Sequence, residues 1–265
     1  MKKSSGSRLS AIFRVIRISM QRMLLIPIVR WLIGSIRLFY YVRIRKNLRT
    51  LASDRAFELT LIHNLDALKR PRTDFTMDRV DRLLRPFSAV ETIGTNSNIL
   101  IIGPRTENDL LMFLGYGFER SKMHAIDLIS YSPWVELGDM HNIEHPDNTY
   151  DGVFCGWVLS YSASQRDVAA EITRVSKDGA LIAIGIDHVS LTPEELEKRD
   201  GYAIIPADST AEHANSADEI LDLFGDAVDT VYFKHDAPFK NQPDVLNRVN
   251  SYGGSTIMVV FSLKK

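Results

Sequence analysis

The chain has 265 residues, 45% of them hydrophobic and 25% charged, which is enough apolar material for one full core plus an accessory segment and unlike a disordered or fibrous composition. Its formal net charge of -1 conceals a segregation: residues 1–50 carry 12 Lys and Arg and no Asp or Glu, leaving 20 basic and 33 acidic residues, a net of -13, for the rest. An acidic globular part matches a phosphate backbone poorly, so nucleic-acid substrates are disfavoured; the single cysteine, Cys155, excludes an intrachain disulfide and reads as a small buried hydrophobe.

In chain order, Leu9, Ile12, Phe13, Ile16, Met20, Met23 and Leu24 recur at helical spacing, with Arg14, Arg17, Gln21 and Arg22 opposite them. That pattern predicts a basic amphipathic helix. Pro27 interrupts it, and Ile28 to Ile44 is aromatic-rich but broken by Arg30, Arg37 and Arg43. The longest charge-free run in this apolar part, Met23 to Val29, falls short of the roughly 18 residues that a spanning helix needs. Residues 1–53 are therefore expected either to lie on an anionic membrane surface through residues 8–46, with snorkelling arginines, or to cap the following domain. Arg14 and Arg17 break what would be a signal-peptide core, so the expected location is cytoplasmic and peripheral at the inner face of a membrane; the acid-free, Arg-rich composition is also that of a transit peptide.

Residues 54–97 form a connector with two expected helices, Asp54 to Lys69 and Met77 to Leu84, separated by Pro71 and closed by Pro86. From Asn98 onward short β-rich runs alternate with helical ones. Expected strands are Ile99 to Ile102, Met123 to Leu128, Gly152 to Val158, Ala180 to Ile186, Ala227 to Phe233 and Thr256 to Leu263; expected helices are Glu107 to Leu114, Gln165 to Val175, a piece from Pro193 to Glu197, and Ala217 to Phe224. The alternation predicts an α/β, doubly wound, mostly parallel sheet over residues 98–265. Gly253-Gly254 suits a return that makes the last strand antiparallel.

Such a sheet binds ligands outside the carboxyl ends of its strands at the switch point. Three places qualify. Gly103, after the first strand, permits close backbone approach, and the next helix offers free amides. Asp127, ending the second, can accept two hydrogen bonds from a ribose diol. The third is Gly138-Asp139-Met140-His141, followed by Pro146 to Asp151.

Together with Trp157 to Tyr161, Glu171-Ile172, Arg174-Val175 and Lys177 to Ala180, these motifs make residues 98–265 resemble the class I S-adenosylmethionine-dependent methyltransferases, in the small-molecule group of the methyltransferase type 11 kind. The resemblance implies a Rossmann-like seven-stranded sheet with a reversed last strand and S-adenosylmethionine as cofactor. It also implies Asp127 on the ribose, Asp139 on the adenine amino group, Met140 on the adenine face, and Gly156 and Trp157 beside the methyl donor. The family's loop D/E-x-G-x-G-x-G reads Ile101-Ile102-Gly103-Pro104-Arg105-Thr106-Glu107 here and keeps the first glycine alone. Either Arg105 and Glu107 grip the cofactor's carboxylate and ammonium, or they form a solvated pair at a helix start. His188, beside Asp187, is the candidate base nearest the expected substrate mouth.

The expected reaction is in-line methyl transfer to a small-molecule or lipid-linked acceptor, with no metal, because no His and carboxylate grouping has ligand-like spacing. The competing expectation, given the altered loop, is a catalytically inactive scaffold or membrane-associated adaptor. A nicotinamide-dependent oxidoreductase would need G-x-G-x-x-G, which Gly103 to Asn108 lacks.

Overall fold

In the computed structural model, residues 18–54, 56, 59–69, 79–188, 194–195, 198, 213–236 and 255–265 are described. The chain builds β1 (Arg49–Thr50), β2 (Ile99–Ile102), β3 (Met123–Asp127), β4 (Ile129–Ser130), β5 (Glu136–Leu137), β6 (Tyr150–Gly156), β7 (Ser176–His188), β8 (Val228–His235) and β9 (Ser255–Leu263). Its helices are α1 (Pro27–Phe39), α2 (Leu59–Lys69), α3 (Arg79–Ala89), α4 (Glu107–Gly115), α5 (Gln165–Val175) and α6 (Ala217–Phe224).

Seven strands form one sheet in the order β5-β3-β2-β6-β7-β9-β8. The pairs β2–β3, β2–β6, β3–β5 and β6–β7 are parallel, whereas β9 runs antiparallel to both β7 and β8. This is the Rossmann-like sheet with a reversed last strand that the sequence predicts. Its strand order reverses direction between β2 and β6, so the crevice at the switch point opens there.

The strands are buried on both faces, and alternate residues feed two separate cores. Leu100, Ile102, Val153, Cys155, Ile182 and Ile184 pack toward α5 and α6. Ile99, Ile101, Phe154, Leu181 and Ala183 pack toward α3 and α4, where Phe87 and Phe113 meet Phe154 edge-on at centroid distances of 5.9 Å and 5.1 Å. Desolvation pushes the thiol of the buried Cys155 up to about 12, as befits a packing residue.

One expectation at the periphery is corrected. Pro86 does not close the second connector helix but sits inside α3; the fully buried Leu83, Leu84 and Phe87 tie both sides of it to the core, which outweighs one missing amide donor. The strand β5 has two residues and no periodicity to announce it. Pro27 interrupts the preceding helix as expected: that helix runs to Met23, the chain breaks at residues 24–26, and Pro27 occupies the first turn of α1, a position where its missing N–H costs nothing. The stretch Leu9 to Arg17, the piece from Pro193 to Glu197 except residues 194–195, and Gly253-Gly254 lie outside the described residues.

The N-terminal segment is built onto the sheet domain through one side of α1. Gly34 lies against α4 so closely that an added Cβ would stand 2.0 Å from Asn108 Oδ1, and one at Gly115 would meet Leu25 at 2.8 Å. After α1, residues Tyr40–Ile44 form a π-helical turn. The chain then pairs β1 antiparallel with β4, Arg49 opposite Ser130 and Thr50 opposite Ile129. Among the described residues no helix is long and apolar enough to cross a membrane.

Candidate active site at the carboxyl edge of the sheet

Gly103 follows β2 with φ of +67° and donates its N–H to the Ile126 carbonyl at 2.8 Å. A side chain there would be strained and would stand 2.2 Å from Val158 Cγ1, so glycine is required where the ends of β2 and β6 converge. Arg105 also has positive φ, +36°. Its amide points back at Asp127 Oδ2 (3.0 Å), while Asp127 Oδ1 accepts the Ile129 N–H at 3.0 Å. Burial raises the Asp127 carboxyl to about 6 against these hydrogen bonds, which favour the anion.

Asp139 lies beyond β5, tied to Asp127 through the Gly138 N–H on the Asp127 carbonyl at 3.1 Å. Burial opposes its ionisation, but hydrogen bonds from Ser53, the His141 amide and the His141 ring outweigh that and hold the Asp139 carboxyl below its usual value. The buried His141 sits between Asp139 Oδ1 (Nδ1, 2.5 Å) and Ser162 Oγ (Nε2, 2.7 Å), which orients it on both sides. Met140 is partly buried at the edge of the core that includes α5 and α6. The motif residues further on have structural work: Glu171 accepts the Ile143 N–H at 2.7 Å, and Arg174 bonds Glu171, Asp147 and the carbonyls of Ile143 and His145, pinning the loop that follows Asp139.

At the end of β6, Gly156 is followed by Trp157, a buried residue with φ of +60°. Its amide donates to the Gly185 carbonyl at 2.7 Å and its Nε1 to Asp187 Oδ1 at 2.9 Å. Arg79 closes this group, with Nη1 2.8 Å from Asp187 Oδ2 and its guanidinium 5.2 Å from the indole centroid. A tryptophan held in a left-handed conformation at a strand end is the kind of strain that surrounding structure must enforce. Asp187 is thus engaged by Arg79 and Trp157 and not by His188, since adjacent strand residues project to opposite faces. His188 instead has Nδ1 3.2 Å from the Asn215 carbonyl.

Glu107 departs from a solvated helix start. Its side chain is 0% exposed and is gripped by Arg37 of α1 through Nε, and through Nη2 at 2.8 Å from Oε1. Arg37 stacks 4.0 Å from the Trp134 ring centroid, and the Glu107 N–H donates to the Tyr131 hydroxyl at 2.9 Å, which caps α4. The pair proposed from sequence, Arg105 with Glu107, does not form; Arg37 lies 70 residues from Glu107 in sequence, beyond any local signal. Among the described residues Arg105 forms no salt bridge. Residues 49–54 and 56 belong to a strap across the strand ends: the Leu51 N–H donates to the Leu128 carbonyl at 2.8 Å, Ser53 bonds Asp139, and Ala56 bridges Ser162. Arg37, Ser53 and Ser162 are the residues in contact with the candidate site residues that sequence reasoning missed; His141, which it placed in the motif with Asp139, orients that carboxylate. No group of three or more metal-ligating side chains is found among the described residues.

Residues 119–184 match the family model described as a methyltransferase domain. The matched stretch contains Asp127, Asp139, Met140, Gly156 and Trp157, and bears out the resemblance read from the motifs. No curated protein sequence matches the chain. Among solved structures it is similar to the N-methyltransferase NodS of Bradyrhizobium japonicum WM9 in complex with S-adenosyl-L-homocysteine, at 14% identity over 85% of this chain and 98% of that one, with a TM-score of 0.48. It is also similar to the methyltransferase solved with the Trm112 methyltransferase activator of Haloferax volcanii, at 14% identity over 71% of this chain and 92% of that one, TM-score 0.49. A third is phosphoethanolamine N-methyltransferase 2 of Haemonchus contortus with phosphomonomethylethanolamine and S-adenosylhomocysteine, at 11% identity over 70% of this chain and 53% of that one, TM-score 0.48.

Proposed function

We propose that the chain is an S-adenosylmethionine-dependent methyltransferase acting on a small-molecule or lipid-linked acceptor. One observation carries the reading: Asp127, at the end of β3, and Asp139, in the loop after β5, meet at one carboxyl edge beside the switch point, inside the segment that matches a methyltransferase domain. The acceptor set fits the adenosine half of the cofactor, since a carboxylate with two oxygens suits a ribose diol and a second carboxylate suits an exocyclic amine. For the amino-acid half, Arg105 offers a guanidinium to the carboxylate, whereas the Glu107 carboxylate is taken up by Arg37.

S-adenosylmethionine supplies a methyl group already activated on a sulfonium sulfur, transferred as the acceptor's lone pair bonds to carbon and the carbon–sulfur bond breaks. The protein's part is alignment and exclusion of water. Asp127 and Asp139 fix the nucleoside, Met140 packs on the adenine, Gly103 and Gly156 allow backbone approach, and Trp157, locked by Asp187, walls the reacting end. His188, with Nδ1 turned to the Asn215 carbonyl, keeps Nε2 for an acceptor proton.

A scaffold reading draws support from two contacts that fill the altered loop, Glu107 with Arg37 and Val158 over Gly103. Calorimetry separates the two. S-adenosylmethionine is expected to bind, and Arg105→Ala to weaken it about fivefold by removing a charge-assisted bond, while methylthioadenosine, which lacks the amino-acid portion, binds variant and parent alike. If neither S-adenosylmethionine nor S-adenosylhomocysteine binds the folded protein at millimolar concentration, the scaffold reading replaces the enzyme.

A further inference from the structure

The two roles open to the N-terminal segment, cap and membrane contact, exclude each other only if both need the same face of α1. They do not. Arg30, Gly34 and Arg37 share the side that docks on α4. On the opposite side Ile28, Leu32, Ile36 and Phe39 follow one another at intervals of three and four, each between 52% and 60% exposed. Of the 16 large hydrophobic side chains exposed among the described residues, 13 lie between Ile18 and Leu51. So dense a patch on an otherwise well-packed protein marks a surface that something covers.

Charge identifies the occupant. Arg22 precedes the stripe, and Arg43, Arg45, Lys46 and Arg49 follow it, all exposed, in a stretch of 50 residues without an acid. Beyond Phe39 an open hollow of about 630 Å³ brings Tyr40, Tyr41 and Ile44 together with Arg45, an arrangement of aromatic and cationic groups that suits the headgroup level of a bilayer. A second copy of the chain would set these cations against their own kind. We propose that α1 lies in the plane of an anionic lipid surface, with the Ile28 to Phe39 stripe in the acyl boundary and the flanking cations among the headgroups, while its other side holds the sheet domain. The inference stands apart from methyl transfer, because nothing in it involves Asp127 or Asp139.

The test is sedimentation of the full chain with vesicles of phosphatidylglycerol and phosphatidylcholine, and of phosphatidylcholine alone. Binding is expected with the anionic vesicles and is expected to weaken as salt rises. Leu32→Gln with Ile36→Gln is expected to lower partitioning at least about tenfold at unchanged melting temperature, since both side chains are exposed. Arg43→Gln with Lys46→Asn is expected to lower it about fivefold per cation removed. A full chain that stays in the supernatant at low salt overturns the proposal. So does binding that is undiminished in Leu32→Gln with Ile36→Gln, and so does a dimer in vesicle-free ultracentrifugation that this variant dissolves, which would assign the face to a second copy.

Discussion

Replacing Arg37 by methionine is expected to destabilise the folded protein by about 3–5 kcal/mol, the cost of leaving a buried charge without its partner. Glu107 is 0% exposed and Arg37 27%, so solvent cannot take over the role of the lost guanidinium. The hydrogen bond to Glu107, first among its causes, holds Arg37 above its ordinary value even though burial works against it. For a chain of this size the loss corresponds to a fall of roughly 10 °C in melting temperature. Arg37→Met combined with Glu107→Gln is expected to recover most of that loss, because a neutral amide no longer demands a counter-charge. Differential scanning calorimetry of both variants decides it: a drop under about 1 kcal/mol in the single variant would show the pair to be screened, and α1 to be held by packing alone.

Asp127→Asn is expected to weaken S-adenosylhomocysteine binding by on the order of 1 to 3 kcal/mol at pH 7.5, since one acceptor of the ribose diol becomes a donor. The pH dependence carries the stronger signature. Burial raises the free protein's Asp127 to about 6, above the ordinary 3.8, so the folded state binds a proton there that the unfolded chain has released. Stability from this group is therefore lost as pH rises from about 4 to 6. Diol hydrogen bonds favour the anion, so binding expels that proton and affinity moves the other way: it is expected to fall by up to about tenfold per pH unit below pH 6 and to level off above it. Titration calorimetry from pH 5 to 8 on the parent and Asp127→Asn checks both parts. A slope that persists unchanged in the variant would assign the proton to another group and remove Asp127 from the site.

Most of the sheet could be read from local pattern because each strand and helix announces itself over its own length. Gln165–Val175 and Ala217–Phe224 match the expected helices, and the reversed strand Ser255–Leu263 begins one residue before its expected start. Local pattern also placed Asp127 at the end of its strand, whereas Asp139 was marked by the motif Gly138-Asp139-Met140-His141, because the two-residue β5 before it has no pattern of its own. It could not show that Arg37 would claim Glu107, that Ser53 would reach Asp139, or that Asp187 would turn to Arg79, with partners 70, 86 and 108 positions away. Those contacts depend on how the N-terminal segment and α3 settle on the finished sheet, and no periodicity within either segment encodes that. Pro86 was misread for the related reason that core packing overrode a local breaker.

The strap of residues 49–54 and 56 would give the protein an internal rival for a ligand that binds at Asp139. Ser53 holds Asp139 with a hydroxyl hydrogen, and the adenine amino group would offer that carboxylate the same kind of hydrogen. Any nucleoside reading Asp139 must therefore either evict Ser53 or share the carboxylate with it. The backbone tethers of the strap, Thr50 opposite Ile129 and the Leu51 N–H on the Leu128 carbonyl, come from the turn directly after Asp127, so a ligand that shifts this turn loosens the strap at its root. Occupancy of the crevice and the position of the strap are in this way a single exchange of hydrogen-bond donors, in which the free protein keeps both acids satisfied by its own chain until a ligand takes them over.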